Sequence, residues 1–424
     1  MSIKKYKPPL ITNFSERQWP DNLVTKAPLW CSVDLRDGNQ ALPDPMTPEQ
    51  KLEYFKLFCS IGFKEIEVGF PSASQDEFDF IRMLIEENHI PDDVYIMGLT
   101  QMRPHLIEKT VNSFKGCKKG IIHAYIAPSD LHMKQVFELT KSELIETAIS
   151  ATKQIRQLSD LLSDSDIRYE FSPEEFTDTS LEFSIDLCNK VYEAWGKASS
   201  SEPIIFNLPA TVERLLPNQY ADMIEIFGKK ISNRDSIIIS LHTHNDQGMA
   251  VAATELGLMA GADRVEGTLF GHGERTGNVD LVICINNYYA RGIETGIDLA
   301  NLPAIANKVE SLTGMPIYYR QPYSGSYAFT AFSGSHQDAI NKGMKKLNDA
   351  PKLFNQSWKV PYLHIDPMDI GRKYEKLIRI NSQSGKGGVA WVLEQDYDIE
   401  LPKNIQLELS NYVQAFSENI KREI

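Results

Sequence analysis

Two histidines, His242 and His244, stand one residue apart directly after the apolar run of residues 237–241. Side chains two positions apart on a strand point to the same face, so these imidazoles can converge on one metal ion. The other interpretation of a His-x-His pair is the end of a surface strand with two solvated histidines. Together with further ligands nearby, the pair predicts a metalloenzyme.

Asp37 offers such a ligand within the segment LRDGNQ of residues 35–40. A carboxylate and two neutral imidazoles make three protein ligands and leave positions open for substrate and water, which is typical of a catalytic metal site. Arg36 beside it can clamp a carboxylate or stabilise a developing oxyanion. An ordinary Asp-Gly turn with a surface ion pair is the alternative.

The composition excludes several classes of protein. The 424 residues carry a formal net charge of −13, which repels phosphate backbones and argues against a nucleic-acid partner. The apolar runs fall short of the roughly 20 residues that a membrane-spanning helix requires. The amino terminus lacks an apolar signal core, and the five cysteines show no Cys-x-x-Cys spacing. We therefore expect a cytoplasmic protein that does not span a membrane.

Short apolar runs rich in β-formers alternate with amphipathic stretches that are long enough for helices. Eight such units within about 250 residues predict a (β/α)8 barrel with a parallel sheet, an α/β fold. Thr47 and Pro48 mark a helix start, as N-cap and first-turn residue. The predicted strands are residues 29–33, 65–68, 94–99, 121–125, 167–171, 204–208, 237–241 and 264–267.

A doubly wound open sheet is the main alternative, but the Gly-rich phosphate turn usual after its first strand is missing. The barrel also explains where the polar residues fall, because the carboxyl ends of all its strands meet on one rim. Polar side chains at most of the predicted strand ends should therefore share one pocket: Asp37, Thr100, Gln101, His123, Ser172, Glu174, Asn207, Thr211, His242 and His244.

Two motifs carry a family resemblance. The segment LRDGNQ, followed after ten residues by Lys51, and the segment LHTHNDQG of residues 241–248 resemble the two signatures of the 2-isopropylmalate synthase and homocitrate synthase family. Within it, the chain looks most like 2-isopropylmalate synthases of the longer bacterial and fungal type, from about residue 28 to its end. Four further segments carry this likeness: FNLPATVE at 206–213, GHGERTGN at 271–278, SGSHQD at 333–338 and NSQSGKGG at 381–388.

The resemblance implies a Claisen-type condensation of acetyl-CoA with 3-methyl-2-oxobutanoate, then hydrolysis to 2-isopropylmalate and CoA, the first step of leucine biosynthesis. Asp37, His242 and His244 would bind a divalent metal, with Asn278 as a further ligand or close neighbour. These ligand types accept Zn²⁺, Mn²⁺, Co²⁺ or, with more water, Mg²⁺. The oxo acid would lie among seven residues: Leu99, His123, Tyr125, Ser172, Asn207, Pro209 and Thr211.

The resemblance also assigns the remaining catalytic roles. Arg36 would stabilise the oxygen that becomes an alkoxide, and Glu174, His336 and Tyr362 would serve the removal of a proton from the acetyl group. Without the resemblance, His336 reads as part of a capped helix start and Tyr362 as a buried aromatic. The segment GKGG of residues 385–388 can approach CoA phosphates, although its spacing favours a flexible turn.

The implied organisation has three parts: an amino-terminal arm of residues 1–27, a catalytic barrel of residues 28–325 and a smaller, mostly helical carboxyl-terminal region of residues 326–424. His336 and Tyr362 in that last region would complete the partner's active site in a homodimer. Longer members carry a leucine-binding regulatory domain after the segment corresponding to residues 401–424. We therefore expect activity that is insensitive to leucine.

Three other functions stay open. A homocitrate or citramalate synthase would be distinguished by its rate with 2-oxoglutarate or pyruvate, because an apolar pocket discriminates one methylene by only about 1–3 kcal/mol. A lyase that cleaves hydroxymethylglutaryl-CoA would not need the region that bears His336 and Tyr362. The non-enzymatic alternative is an inactive subunit that binds an oxo acid. The presence of all proposed catalytic residues argues against it.

Overall fold

The computed structural model describes residues 14–349, 357–374, 393 and 399–420. The chain divides into two compact units, of which the first comprises Met1–Asp298 with Val309–Met315. The second comprises Leu299–Lys308 with Pro316–Ile424. The segment NSQSGKGG of residues 381–388 lies outside the described residues.

The first unit contains a closed parallel barrel in which each strand pairs with the next and the eighth pairs with the first. The predicted (β/α)8 fold is therefore confirmed, and all eight predicted strands are present. The strands are β1 (Leu29–Ser32), β2 (Glu65–Gly69), β3 (Tyr95–Gln101), β4 (Lys119–Ile126), β5 (Asp166–Pro173), β6 (Ile204–Ala210), β7 (Ile237–Thr243) and β8 (Arg264–Gly267).

A helix follows each strand within this unit. Local capping fixes where several of these helices begin. In the first helix, Thr47 is the N-cap and Pro48 occupies the first turn, as the sequence predicts, and Thr47 also forms a capping box with Gln50. The helices are α1 (Pro48–Ile61), α2 (Gln75–Glu86), α3 (Pro104–Ser113), α4 (Lys141–Asp160), α5 (Leu181–Trp195), α6 (Pro217–Lys230), α7 (Ala250–Met259) and α8 (Leu281–Ala290).

Several strands run further toward their carboxyl ends than the sequence predicts. β3 continues through Gln101, β5 through Pro173 and β7 through Thr243. His242 therefore lies inside β7, opposite Glu266 of β8 in the parallel register. The ladder fixes the direction of its side chain, which a loop position would leave free.

The barrel interior contains two kinds of side chain. Apolar residues from several strands, among them Cys31, Met97, Ile121 and Ile205, meet in one buried cluster. Charged residues meet there as well, since Arg264 of β8 contacts carboxylates of β2 and β5 across the barrel. The usual filling of branched apolar layers is thus replaced in part by ion pairs.

The second unit contains the helices α10 (Gly334–Asp349) and α11 (Lys403–Ile420), and α9 (Leu302–Thr313) contributes residues to both units. Arg372 is buried here and donates to the carbonyl oxygens of Tyr323, Ser324 and Gly325 at 2.7–3.2 Å. This guanidinium fixes the irregular segment that precedes α10. Across the described ranges, no helix has both the length and the apolar character needed to cross a bilayer.

Candidate active site

A turn of π-helix, Asp34–Gly38, follows β1 and presents the first site residues. The buried Asp34 carboxylate accepts hydrogen bonds from the Tyr54 hydroxyl at 2.8 Å, from Ser32 Oγ at 2.9 Å and from the Leu269 amide. Burial raises the pKa of Asp34 to about 7, although these donors oppose the shift. Single turns of this kind are often found at functional sites. The anchored turn directs Arg36 and Asp37 towards the barrel mouth.

Asp37 lies beside both histidines of β7. Its Oδ2 is 3.4 Å from His242 Nε2 and 3.7 Å from His244 Nε2. Potential ligand atoms of the three residues all lie within 4.8 Å of one another, and all three side chains are buried. The structure thus brings the predicted metal ligands together at one point, although they come from opposite ends of the barrel sequence.

The donor atoms around this point fit a divalent cation. Asn278 donates its Nδ2 to Asp37 Oδ2 at 2.8 Å and to the His272 carbonyl at 2.9 Å. Its buried Oδ1 is left without a hydrogen-bond partner among the described residues. Two imidazoles, a carboxylate and a free amide oxygen form a donor set that zinc, manganese or magnesium accepts.

Charges around the three ligand residues shift their pKa values in different directions. Burial opposes ionisation of Asp37, but Arg36 and the imidazoles outweigh it and hold the pKa of Asp37 well below its usual range. Burial also disfavours the His242 cation, yet its bonds to Asp37 and Glu266 raise the pKa of His242 to about 9. Burial and the neighbouring His242 lower the pKa of His244 to about 4.

Arg36 links Asp37, a predicted metal ligand, to the Glu67 carboxylate and through it to an imidazole deeper in the barrel. Its Nη1 lies 2.8 Å from Asp37 Oδ1, and its Nε donates to Glu67 Oε2 at 2.5 Å. The other Glu67 oxygen is 2.8 Å from His123 Nδ1. Since Glu67 accepts on both sides, His123 donates through Nδ1 and its Nε2 is the acceptor in the neutral ring.

The chain of hydrogen bonds continues as far as His242, one of the predicted metal ligands. Ser172 Oγ lies 2.7 Å from His123 Nε2 and accepts from Asn207 Nδ2 at 3.0 Å. Asn207 Nδ2 also donates to Glu266 Oε2 at 3.1 Å, and that same oxygen lies 3.0 Å from His242 Nδ1. We call this closed set the polar ring, and it consists of Asp37, Arg36, Glu67, His123, Ser172, Asn207, Glu266 and His242.

The polar ring determines which atoms face the substrate. Glu266 accepts a hydrogen bond from His242 Nδ1–H, so Nε2 is the atom available to a metal. Asn207 uses its amide hydrogens on Ser172 and Glu266, and its buried Oδ1 has no hydrogen-bond partner in the described part of the chain. When His242 is neutral, its Nε2 and the Asn207 Oδ1 are therefore both acceptors.

Arg264 supports the polar ring from below. Its buried guanidinium lies 2.5 Å from Glu65 Oε2, 2.5 Å from Glu266 Oε1 and 3.2 Å from Glu170 Oε2. Burial raises the pKa of Glu170 well above its ordinary value. Burial acts in the same direction at Glu266, but Arg264 and the hydrogen bonds with Glu170 and His242 together outweigh it and lower the pKa of Glu266. Glu266 is therefore the ionised member of the pair and the strong acceptor for His242.

A cavity of about 220 Å³ opens above the ligand residues. All seven predicted substrate-binding residues line it, together with Arg36, Asp37, Glu174 and the two histidines of β7. Four lining residues were not singled out by the sequence analysis: Gln40, Phe70, Glu274 and Arg275.

The missed residues differ in the signal that the sequence carries for them. Glu274 and Arg275 belong to the segment GHGERTGN, whose Gly273 has a left-handed φ of 136° and leaves no space for a Cβ beside Asn278. For the buried Glu67 and Glu266, the sequence contains a general indication of a polar network. Each stands two positions from another ionisable residue, in a strand that a barrel covers on its outer face.

Glu174 directly follows Pro173, the last residue of β5, and lines the cavity. Burial raises the pKa of its carboxyl group, and nearby Glu175 and Asp37 act in the same direction. His132 and Arg36 oppose the shift. A carboxylate with a raised pKa is suited to accept a proton near neutral pH.

His336 and Tyr362 lie in the second unit. Their rings stack at a centroid distance of 4.0 Å and line a separate pocket of that unit. His336 is in the first turn of α10, where the sequence allows a capped helix start. Tyr362 is 63% exposed, so its interpretation as a buried aromatic is wrong for the single chain.

Known proteins resemble both parts of the chain. The HMGL-like family model matches residues 27–309, and the model described as alpha-isopropylmalate synthase, post-catalytic domain-like, matches residues 326–394. The 2-isopropylmalate synthase of Saccharomyces cerevisiae is 52% identical over 99% of this chain and 68% of its own length. That of Rhodospirillum rubrum is 50% identical over 99% of this chain and 75% of its own length.

Solved structures resemble the chain in fold. The hydroxymethylglutaryl-CoA lyase of Pseudomonas aeruginosa aligns with a TM-score of 0.56 at 17% identity, over 69% of this chain and 95% of the lyase. The HMG-CoA lyase of Brucella melitensis aligns with a TM-score of 0.54 at 18% identity, over 68% of this chain and all of the lyase, 100%. Sequence similarity thus covers both matched regions, whereas the structural likeness concerns the fold.

Proposed function

The chain belongs to the 2-isopropylmalate synthase family of HMGL-like enzymes, and from this premise we propose the reaction that it catalyses. It condenses acetyl-CoA with 3-methyl-2-oxobutanoate and hydrolyses the thioester to give 2-isopropylmalate and CoA, as a transferase of leucine biosynthesis. The observation that carries this proposal is the convergence of Asp37, His242 and His244 on the floor of the cavity.

Asp37, His242 and His244 would hold a divalent metal, Mg²⁺, Mn²⁺ or Zn²⁺, with Asn278 Oδ1 as a fourth protein donor. When bound, the ion would supply Lewis-acid polarisation of the 2-oxo group and fix the orientation of the acid. Glu266 supports this role by accepting a hydrogen bond from His242 Nδ1–H. Arg36 lies next to the ligands and supplies positive charge for the oxygen that becomes an alkoxide.

The carboxylate of the oxo acid is expected to meet Thr211. The Thr211 Oγ1 accepts a hydrogen bond from the Glu175 amide at 2.9 Å, so its own proton remains available for an anionic substrate group. The alkyl group is expected to face Leu99, Tyr125 and Phe70, which we call the apolar wall. Tyr125 is held by Gln101 Nε2 at 3.0 Å, and its ring contacts Phe70 edge to face.

Glu174 is proposed as the base that takes a proton from the acetyl methyl group. The methyl carbon then forms a bond to the 2-oxo carbon, and water later cleaves the C–S bond to release CoA. His336 and Tyr362 would assist from the second unit of a partner chain in a homodimer. Their exposure and mutual stacking support a role completed by contact with another molecule.

A mixture of two inactive variants tests this shared site. Asp37→Asn damages only the barrel contribution, and His336→Ala only that of the second unit. If the sites are shared, subunit exchange produces dimers with one intact site, and activity reappears on mixing. No recovery, although exchange is verified with differently tagged chains, would contradict the shared site.

The state of the cysteines supports a proposal for where in the cell the enzyme works. The five cysteines are free, and four of them are buried. Free buried thiols persist in a reducing compartment, so we propose that the enzyme works in the cytoplasm.

A thiol-release assay with acetyl-CoA tests the reaction itself. The panel contains 3-methyl-2-oxobutanoate, pyruvate, 2-oxobutanoate and 2-oxoglutarate, each with and without a chelator, and a blank lacks the oxo acid. We expect the highest kcat/KM with 3-methyl-2-oxobutanoate, loss with the chelator and recovery with a divalent metal. No release with any acid would overturn the enzyme proposal. A preference for 2-oxoglutarate or pyruvate would reassign it to homocitrate or citramalate synthesis.

A further inference from the structure

Glu175, the residue after the proposed base, has an unusual conformation. Its φ of 56° and ψ of 38° lie in the left-handed region, which is uncommon for a residue with a side chain. Only 8% of its surface is exposed. Such a backbone persists where surrounding contacts determine it, and these contacts cluster at functional sites.

The side chain of Glu175 binds the segment that follows β4. Its Oε2 lies 2.6 Å from His132 Nδ1 and accepts a hydrogen bond from Ser129 Oγ. Ser129 is itself buried and caps the short turn that carries His132. One carboxylate oxygen therefore ties the end of β5 to the loop after β4.

The backbone of Glu175 makes the matching connection on the other side. Its amide donates to Thr211 Oγ1 at 2.9 Å, just beyond β6, and its carbonyl accepts from Thr179 Oγ1 at 2.8 Å. Glu175 thus joins the carboxyl ends of three consecutive strands. The residue before it is the proposed base, and the hydroxyl that it binds is the proposed contact of the substrate carboxylate.

We propose that Glu175 is a positioning residue that fixes the Glu174 carboxylate and the Thr211 hydroxyl in the geometry of the reaction. This inference rests on the proposed function, in which Glu174 is the base. The Glu175 side chain acts through the hydrogen bonds of its Oε2 and through its negative charge, and these two effects can be separated by substitution.

The charges around Glu174 define the expected pH effect. His132 and Arg36 favour its ionised form, whereas Glu175 and Asp37 disfavour it, and Tyr125 is a further titratable neighbour. In Glu175→Gln, an amide oxygen can occupy the place of Oε2 and accept both hydrogen bonds. The charge is lost and the contacts remain, so Glu174 should ionise at lower pH.

Glu175→Gly removes the charge and the side-chain contacts with Ser129 and His132. It keeps the left-handed backbone, which glycine adopts freely, and the backbone hydrogen bonds. A matched control exists in Glu138, an exposed glutamate with a φ of 54° and a ψ of 38°. Glu138→Gln and Glu138→Gly make the same chemical changes in the same backbone conformation, at a residue that does not line the cavity.

The experiment measures kcat and KM for 3-methyl-2-oxobutanoate across pH, and the isotope effect with acetyl-CoA deuterated in its methyl group. We expect Glu175→Gly to lower kcat/KM by about 10²-fold, the cost of a misplaced reacting group, and to raise the isotope effect. Glu175→Gln should keep most of kcat at neutral pH and move the acid limb of kcat/KM to lower pH. Both Glu138 variants should match the parent.

The inference is overturned if Glu175→Gly equals Glu138→Gly in both rate and isotope effect, or if Glu175→Gln leaves the acid limb in place. If the glycine variant does not fold, as judged by circular dichroism, the acid limb of the glutamine variant decides. Glu174→Gln separates this inference from the proposed function. Full activity of Glu174→Gln contradicts its role as base, whereas an inactive Glu174→Gln beside normal Glu175 variants contradicts only the positioning role.

Discussion

The two units hold their titratable side chains in contrasting ways. In the barrel, Asp37 and His242 are 3% and 5% exposed, and each member of the polar ring contacts the next through a hydrogen bond or an ion pair. In the second unit, Tyr362 is 63% exposed and its ring stacks on His336. The difference teaches that one half of the proposed chemistry is preorganised by the fold of a single chain. The other half is presented at a surface.

The largest effect is expected from the barrel. Asp37→Asn removes a proposed metal ligand and the partner of Arg36, so kcat/KM should fall by at least about 10³-fold. The bound metal, measured by mass spectrometry of the purified protein, should fall with it. Asp44→Asn is the control, because Asp44 is an exposed aspartate of the same connection between β1 and α1. If Asp37→Asn binds as much metal as the parent protein, Asp37 is not a metal ligand and the proposed metal site is wrong.

A smaller effect is expected from the second unit. His336→Gln should lower kcat by about 10²-fold, the usual contribution of one acid–base group. Because His336 is exposed, its thermal unfolding midpoint should stay that of the parent protein. The exposed His105 provides His105→Gln as a control that should change neither quantity. A large loss of thermal stability in His336→Gln would remove the contrast between the two units.

Glu266→Gln sharpens the comparison within the barrel. The substitution weakens the acceptor that orients His242, and changes at such supporting residues typically cost 10–100-fold in metal affinity. Chelator competition measures this affinity directly. Glu255→Gln is the control, since Glu255 pairs with Arg291 at 2.7 Å outside the cavity lining. Equal metal affinities of the two variants would show that the polar ring does not support the ligands.

The smallest effect concerns pH. The pKa of Glu174 lies above its ordinary value, so protonation inactivates the base as pH falls through that raised pKa, and kcat/KM declines on the acid side. The charged groups that set this value all belong to the barrel unit. His336→Gln should therefore lower the rate without moving the midpoint of the acid limb. A shifted midpoint would show that His336 interacts electrostatically with Glu174 and its charged neighbours in the barrel.

The barrel and the rim positions were accessible from the sequence for a physical reason. Parallel strands covered by helices are short apolar runs, and their polar carboxyl ends must converge. His242, His244 and Asp37 therefore follow from spacing and fold together. His336 and Tyr362 do not, because an exposed histidine at a helix start and an exposed tyrosine carry no local pattern; a family resemblance alone points to them.

Other parts of the site depend on contacts between residues far apart in sequence. The π-turn that presents Arg36 requires the bond from the Leu269 amide to the Asp34 carboxylate. The left-handed backbone conformation at residue 175 is not visible in the sequence, because the residue is a glutamate and not a glycine or asparagine. The carboxylates Glu67 and Glu266 did carry a signal, as ionisable residues in strands buried on both faces. Such residues predict a buried network of ion pairs and hydrogen bonds, because an isolated buried charge costs too much free energy to persist.

The separation of the polar ring from the apolar wall has a consequence for how this scaffold can diversify. Phe70, Leu99 and Tyr125 share the cavity with the ring but none of its hydrogen bonds. Their side chains can be exchanged for larger or smaller ones while the polar ring stays intact. New substrates are thus reachable through single steps at the wall, each of which preserves the reaction chemistry.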